Sequence, residues 1–250
     1  MSLKIVIPSH KRHDCVISKR LVVDPIICVA ESQAEIYKRF NPECEIVTHP
    51  DDVIGLIPKR NWMAKHFGEL FMLDDDVMRL VKLYIEPGET AAIKDKVKIT
   101  RLINELYEMA CMMDVNLFGF TNCTTPTMFY EHKWLHLGKQ ITGCAYGVRY
   151  NPNIWWNEEL KLKEDFWISC YVKYKERKVL TDMRYNFQQK GTFASAGGLA
   201  SIRTQEEERR NILALKYAFG DVISLKKKGN NGRDKTIDKV QYNISASFPI

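Results

Sequence analysis

Three consecutive aspartates, Asp74, Asp75 and Asp76, follow an apolar run directly in "ELFMLDDDVMRL". Adjacent carboxylates repel and raise each other's pKa, so three of them at a buried strand end call for a cationic partner. A hard divalent cation such as Mg²⁺ or Mn²⁺ takes carboxylate oxygen and bridges readily to a diphosphate. Acidic runs are also ordinary solvated loop charge, and a DxD spacing is a short motif on its own. Here the run follows an apolar strand rather than a polar loop. In an open parallel sheet the ligand cleft lies outside the carboxyl ends of the strands, which is where this run falls.

A second acidic pair, Glu164 and Asp165 in "NEELKLKEDFWISCY", opens an aromatic, helical pattern. Acids in a first turn are stabilised by the helix dipole, so a capping role is one reading and a reacting carboxylate the other. Upstream, Lys59, Arg60 and Asn61 in "GLIPKRNWMAKHFGELFMLDDDV" open a predicted helix that leads back into the aspartate strand, and a helix N-terminus favours anions. Arg12 and Arg60 also read as surface helix residues, and His10 and His13 as solvated turn residues. Late in the chain "SLKKKGNNGRDK" gathers basic residues around Gly and Asn, which suits either a polyanion or a solvated loop.

The elements that must hold these groups read as α/β. Short β-rich runs, "KIVIPS", "PIICVA", "EIVTHP", "LFMLDD" and "NLFGFTN", alternate with the helical patterns "SQAEIYKRF", "PKRNWMAKHF" and the long segment from Thr90 to Met113. That spacing predicts a Rossmann-like sheet flanked by helices. The second half changes character: "TPTMFYEHKWLHL", "TGCAYGVRY" and "NIWWNEEL" read as hairpins or extended strands, before helical character returns in "EDFWISCYVKYKER" and "RTQEEERRNILALKYAF". At 250 residues, with no repeat or Pro/Ser-rich linker, one domain is expected, functionally divided into 1–122 and 123–250.

Composition narrows the class. The apolar and charged fractions, 45% and 27%, are those of an ordinary globular protein. The run in "MSLKIVIPSH" is too short to span a bilayer and has neither a basic lead nor a cleavage pattern, so no membrane segment or signal is expected. Seven cysteines are scattered without a CxxC pair, which fits a reducing cytosol. The net charge of +6 is modest and uneven.

Taken with the helix before the strand, "LFMLDDDV" and the N-terminal "IVIPSHKR" resemble the GT-A glycosyltransferases, a single mixed α/β domain with a nucleotide-sugar-binding first half and an acceptor-binding second half. The resemblance implies a division of labour. Asp74 would lie near the nucleotide ribose and the metal, Asp76 on the metal, and Asp75 would assist or be structural. Pro8, Ser9 and Arg12 would border the nucleoside, with Arg60 and Asn61 on the donor, taken as a UDP-sugar. An "ED" pair after a glycine-bearing strand, here "ITGCAYGV" with Gly143 and Gly147, puts Asp165 as the base of an inverting transfer and Glu164 as an orienting group; a retaining enzyme would use Asp165 differently. Many relatives add a late metal-binding histidine, but all six histidines here lie at or before His136. Asp234, the diphosphate or water would then complete the Mn²⁺ or Mg²⁺ shell, while Lys228, Arg233 or Lys235 would close on the phosphates.

The order "KRN…LDDD…ED…GG" further resembles the TET-associated glycosyltransferases of phages, which implies a 5-hydroxymethylpyrimidine in DNA as acceptor and a cytoplasmic host setting. No protein partner is expected. Aromatics between Phe118 and Phe193, interleaved with basic residues, suit sugars or unstacked bases, although most also suit a core. "FASAGGLAS", with Gly197 and Gly198, reads as a flexible loop or a turn. Three other readings remain: a transferase acting on a polysaccharide, lipid-linked or small acceptor; a non-enzymatic nucleic-acid-binding or nucleotide-sensing module; and a nucleotidyltransferase, which "IVIPSHKRHD" disfavours because it lacks a glycine-rich phosphate loop.

Overall fold

The apolar run before the aspartates becomes a strand deep inside a mixed sheet. The structure, a computed structural model, describes residues 3–123, 129–189, 204–225 and 244–246. In chain order the elements are β1 (Lys4–Pro8), β2 (Ile26–Ala30), α1 (Ala34–Phe40), β3 (Glu45–His49), α2 (Leu56–Phe67), β4 (Glu69–Leu73), β5 (Val77–Lys82), β6 (Ala92–Ile93), α3 (Lys96–Met112), β7 (Leu117–Phe120), β8 (Leu135–His136), β9 (Ala145–Arg149), α4 (Glu164–Glu176), β10 (Leu180–Asp182), β11 (Tyr185–Gln189), α5 (Gln205–Phe219), β12 (Ile223–Leu225) and β13 (Ile244–Ala246). The main sheet has the order β3-β2-β1-β4-β9-β7-β10-β8. Its first four strands are parallel, and β9 enters antiparallel between β4 and β7. A small β11-β5-β6 sheet grows from the strand that follows the aspartates.

Leu70 to Leu73 of β4 are wholly buried. A parallel strand covered on both faces has no solvent side, so its sequence is continuously apolar rather than alternating. Successive side chains still point to opposite faces. Ile5, Ile7, Phe71 and Leu73 pack with Tyr37 of α1 and with Ile99, Ile103 and Leu106 of α3. Val6, Leu70 and Met72 pack with Ile57, Met63 and Ala64 of α2, and the same core takes in Ile168 of α4 and Leu215 of α5. The result is three layers, helix on sheet on helix.

Gly147 sits in β9 opposite Phe71 on one side and Phe118 on the other. A Cβ built there lies well inside contact distance of Phe118 Cζ, so the ring can pack over the strand here only because the residue is glycine. Gly147→Ala is expected to destabilise by about 1–3 kcal/mol through overpacking, read as a lower urea midpoint at unchanged slope.

Several elements differ from the sequence reading. The segment from Thr90 yields first β6 and then a helix starting only at Lys96, where the Asp95 side chain accepts from the Val97 and Lys98 N–H groups. "NIWWNEEL" is turn and coil, with Trp156 fully buried by packing rather than by strand pairing. Only Leu135–His136 of the 125–137 run forms a strand among the described residues. Among those residues no helix is long and apolar enough to cross a membrane.

Candidate active site

The sheet order turns at β1 and β4: β2 and β3 lie on one side of β1, while β4 lies on the other. The carboxyl ends of two such neighbours frame a crevice, and here they carry Pro8–Ser9 and Asp74–Asp76. The turn at the aspartates is clamped by main chain. The Asp74 N–H donates to the Cys144 carbonyl at 2.8 Å, the Ile17 N–H donates to the Asp75 carbonyl at 2.8 Å, and the Ser18 hydroxyl donates to the Asp74 carbonyl at 2.7 Å.

Each aspartate then meets a different environment. Asp75, buried, accepts the Ser9 hydroxyl at 2.6 Å and the Arg12 guanidinium at 2.6 Å. The Tyr37 hydroxyl bonds Ser9 Oγ at 2.8 Å and accepts the Arg12 N–H at 2.9 Å, while Lys59 Nζ donates to the Ser9 carbonyl at 2.7 Å. Asp75 is therefore the anchor of the first-strand loop. Asp74 takes Arg60 at 3.0 Å, and Asp76 lies 3.8 Å from Arg12; both keep part of their carboxylate at the surface. Burial pushes Asp74 up to about 7; Arg60 opposes this, while Glu164, Asp76 and Asp75 add to it. Burial likewise raises Asp76, with Arg12 opposing.

Arg60 ties the two acidic groups together. Its side chain is 1% exposed, its Nη2 reaches Asp74 at 3.0 Å and Glu164 at 3.4 Å, and its guanidinium lies 5.2 Å from the Tyr146 ring centre. Asp165, next along α4, accepts the Gly143 N–H at 2.9 Å and the Phe166 N–H at 2.9 Å. Gly143 has φ +105°, a backbone conformation that L side chains avoid, so the amide that holds Asp165 depends on glycine. Burial and then Glu164 push Asp165 up to about 6, against the pull of those two amides.

The structure thus brings Ser9, Arg12, Asp74, Asp75, Asp76, Glu164 and Asp165 into one region, with Pro8 buried beneath the loop. Neither arginine is a surface helix residue. Arg60 lies under the cleft floor, its charge already divided between two carboxylates, so it positions these groups and is not exposed to a donor. The Asn61 amide donates to the Trp156 carbonyl and accepts the Trp156 N–H, each at 2.8 Å, which ties it to the 155–158 segment. Lys228 and Arg233, with Asp234, Lys235, Gly197 and Gly198, lie outside the described residues. Tyr37 and Lys59 are functional supports the sequence reading did not assign; Lys59 was visible beside Arg60, whereas Tyr37 reads as an ordinary apolar-face residue of α1.

An apolar strand ending in aspartates, a first-strand loop bonded to it through Asp75 and a carboxylate pair joined to it through Arg60 sit on one mixed sheet, the arrangement of the GT-A fold. The fold of S. aureus TarS 1–349 in complex with UDP-GlcNAc is similar, with TM-score 0.50 and 10% identity over 85% of this chain and 66% of that one. S. aureus TarS in another crystal structure gives TM-score 0.45 at 10% identity over 86% of this chain and 40% of that one. The chain therefore spans less than two thirds of the TarS chains it resembles. No curated protein sequence matches it. The family profile described as TET-Associated Glycosyltransferase matches residues 3–198, and the chain belongs to that family.

Proposed function

We propose that the protein moves a sugar from a UDP-sugar to the hydroxyl of a 5-hydroxymethylpyrimidine in DNA, with Asp165 as the base. The observation that carries this reading is the buried Arg60, which joins the aspartate strand end to the Glu164–Asp165 pair in one cleft. Membership of the TET-associated family supports the DNA acceptor, and the similarity to a fold crystallised with UDP-GlcNAc supports the nucleotide. In an inverting transfer the acceptor oxygen bonds to the anomeric carbon as the bond from that carbon to the diphosphate breaks. The acceptor proton passes to Asp165, and UDP departs. The Gly143 and Phe166 amides aim the carboxylate, and Glu164, fixed by Arg60, is the neighbouring charge that raises its proton affinity.

A divalent cation fits the residues present. Asp74 and Asp76 offer partly exposed hard oxygen, and the carboxylates that raise Asp74 leave a site that a cation would relieve. Among the described residues no three His, Cys, Asp or Glu side chains form a ready-made cage, so diphosphate and water would supply the remaining ligands. Bound there, Mg²⁺ or Mn²⁺ supplies charge neutralisation for the departing diphosphate.

The test is a panel of UDP-sugars with Mn²⁺ and duplex DNA containing 5-hydroxymethylcytosine, 5-hydroxymethyluracil or neither, with digested nucleosides weighed by mass spectrometry. A sugar increment confined to the modified nucleosides, falling about 10²-fold or more in Asp76→Asn, is expected. Donor hydrolysis with every DNA left unmodified would overturn the DNA acceptor. Undiminished transfer by Asp76→Asn would overturn the role of the aspartate end.

A further inference from the structure

Beyond β4, on the side away from the first-strand loop, the ends of β7, β9 and β11 enclose a cavity of about 500 Å³. It adjoins both acidic groups. Gly143, whose N–H holds Asp165, and Cys144, whose carbonyl holds the Asp74 N–H, both line it. Among the described residues its wall contains no Asp, Glu, Lys, Arg or His. Side-chain amides of Asn122, Asn186, Gln188 and Gln189 stand there instead, with the rings of Phe120 and Phe187. Asn186 is 3% exposed; its Nδ2 donates to the Thr121 carbonyl at 2.6 Å, and its Oδ1 is buried with no hydrogen-bond partner. Arg79 Nε donates to Gln188 Oε1 at 2.8 Å, which orients that amide.

Resting on the DNA reading above, we infer that this cavity takes the acceptor pyrimidine itself, swung out of the duplex, with the amides reading its hydrogen-bonding edge and the phenylalanines meeting its faces. The chemistry of the wall selects that ligand. A phosphate- or carboxylate-bearing acceptor calls for cationic partners, which the described residues of this wall do not supply. A pyrimidine is neutral and flat and carries donors and acceptors along one edge, the complement of side-chain amides. The volume lies in the range of small-molecule pockets, and a base stacked in a duplex cannot enter a concave site without leaving its stack. The amide that holds Asp165 is part of the wall, so a base seated here has its hydroxymethyl group on the side of the reacting carboxylate.

The experiment compares transfer to 5-hydroxymethylcytosine placed opposite guanine, opposite a mismatched base and in a single strand, for the wild type and for Gln188→Ala and Asn122→Trp. Melting temperatures establish that each variant is folded. Unpairing before binding removes the cost of unstacking the base, so mismatched and single-stranded DNA should be modified about tenfold faster or more at subsaturating DNA. Each variant should lose about tenfold in kcat/KM for DNA, mainly through KM. Equal rates on the three DNA forms, or folded variants that transfer as the wild type does, would overturn the base pocket while leaving the DNA acceptor standing. Donor hydrolysis without transfer to any of the three would overturn the DNA acceptor and the pocket with it.

Discussion

Replacing Asp165 with asparagine should lower transfer about 10²–10⁴-fold, the usual contribution of a positioned general base, while the protein remains folded. Asparagine has the same shape and keeps an oxygen for one of the amides that Asp165 now binds, so the loss falls on proton transfer. The pH profile provides the sharper readout. With Asp165 pushed up to about 6, kcat/KM should rise tenfold per pH unit below that value and level off above it. Stability should move the opposite way. A carboxyl whose pKa is raised on folding binds more protons in the native state than in the unfolded chain, so its stabilising effect is complete below the ordinary carboxylate range. That effect is then lost as pH rises through about 6. Asp165→Asn should flatten this part of the stability curve, measured as melting temperature against pH. An unchanged rate profile in the variant would remove Asp165 from the reaction.

Arg60→Met should destabilise the protein by about 3–5 kcal/mol, the cost of leaving buried charge without its partner. The methionine fills much of the same volume, yet Asp74 and Glu164 lose the cation between them. Arg60→Lys should recover only part of that loss. A single ammonium cannot repeat a planar fork that touches Met72 Sδ at 3.5 Å, Asp74 and Glu164, with the Tyr146 ring beside it. In the double variant Arg60→Met/Glu164→Gln, the effects should be less than additive, because the second change removes one of the stranded charges. Urea unfolding of the wild type, Arg60→Met, Arg60→Lys, Glu164→Gln and the double variant measures this. A single-variant effect under about 1 kcal/mol would mean that the bridge does not hold the two acidic groups together.

Much of the frame was legible because burial leaves a periodic trace. Strands β1 to β4 and β7 appear as apolar runs, and Asp74 to Asp76 fall at a strand end for the reason the sequence suggests. Helix α4 begins at Glu164, as the acidic first turn implies. The misses have physical causes. Arg60 and Asn61 are adjacent in α2, and at 3.6 residues per turn neighbours point about 100° apart, so one faces the carboxylates and the other faces Trp156. Aromatic density in "NIWWNEEL" resembles strand propensity, but Trp156 is buried by packing and by Asn61. The polar β11, "YNFQQ", gives little apolar alternation although it forms a cavity wall. The Ser9–Tyr37–Asp75 network joins residues 28 and 66 positions apart, a contact with no local signature.

Gly143 and Cys144, adjacent in the chain, each hold one acidic group: the Gly143 N–H holds Asp165, and the Cys144 carbonyl holds the main chain of Asp74. Consecutive Cα atoms are about 3.8 Å apart whatever the sequence, so the two grips cannot move apart by more than the span of two residues. Drift in chain length, which most surface loops absorb, has no slack to use at this point. Side chains around the cavity can be exchanged without moving these two grips, but an added or lost residue here would separate Asp165 from the aspartates at the end of β4.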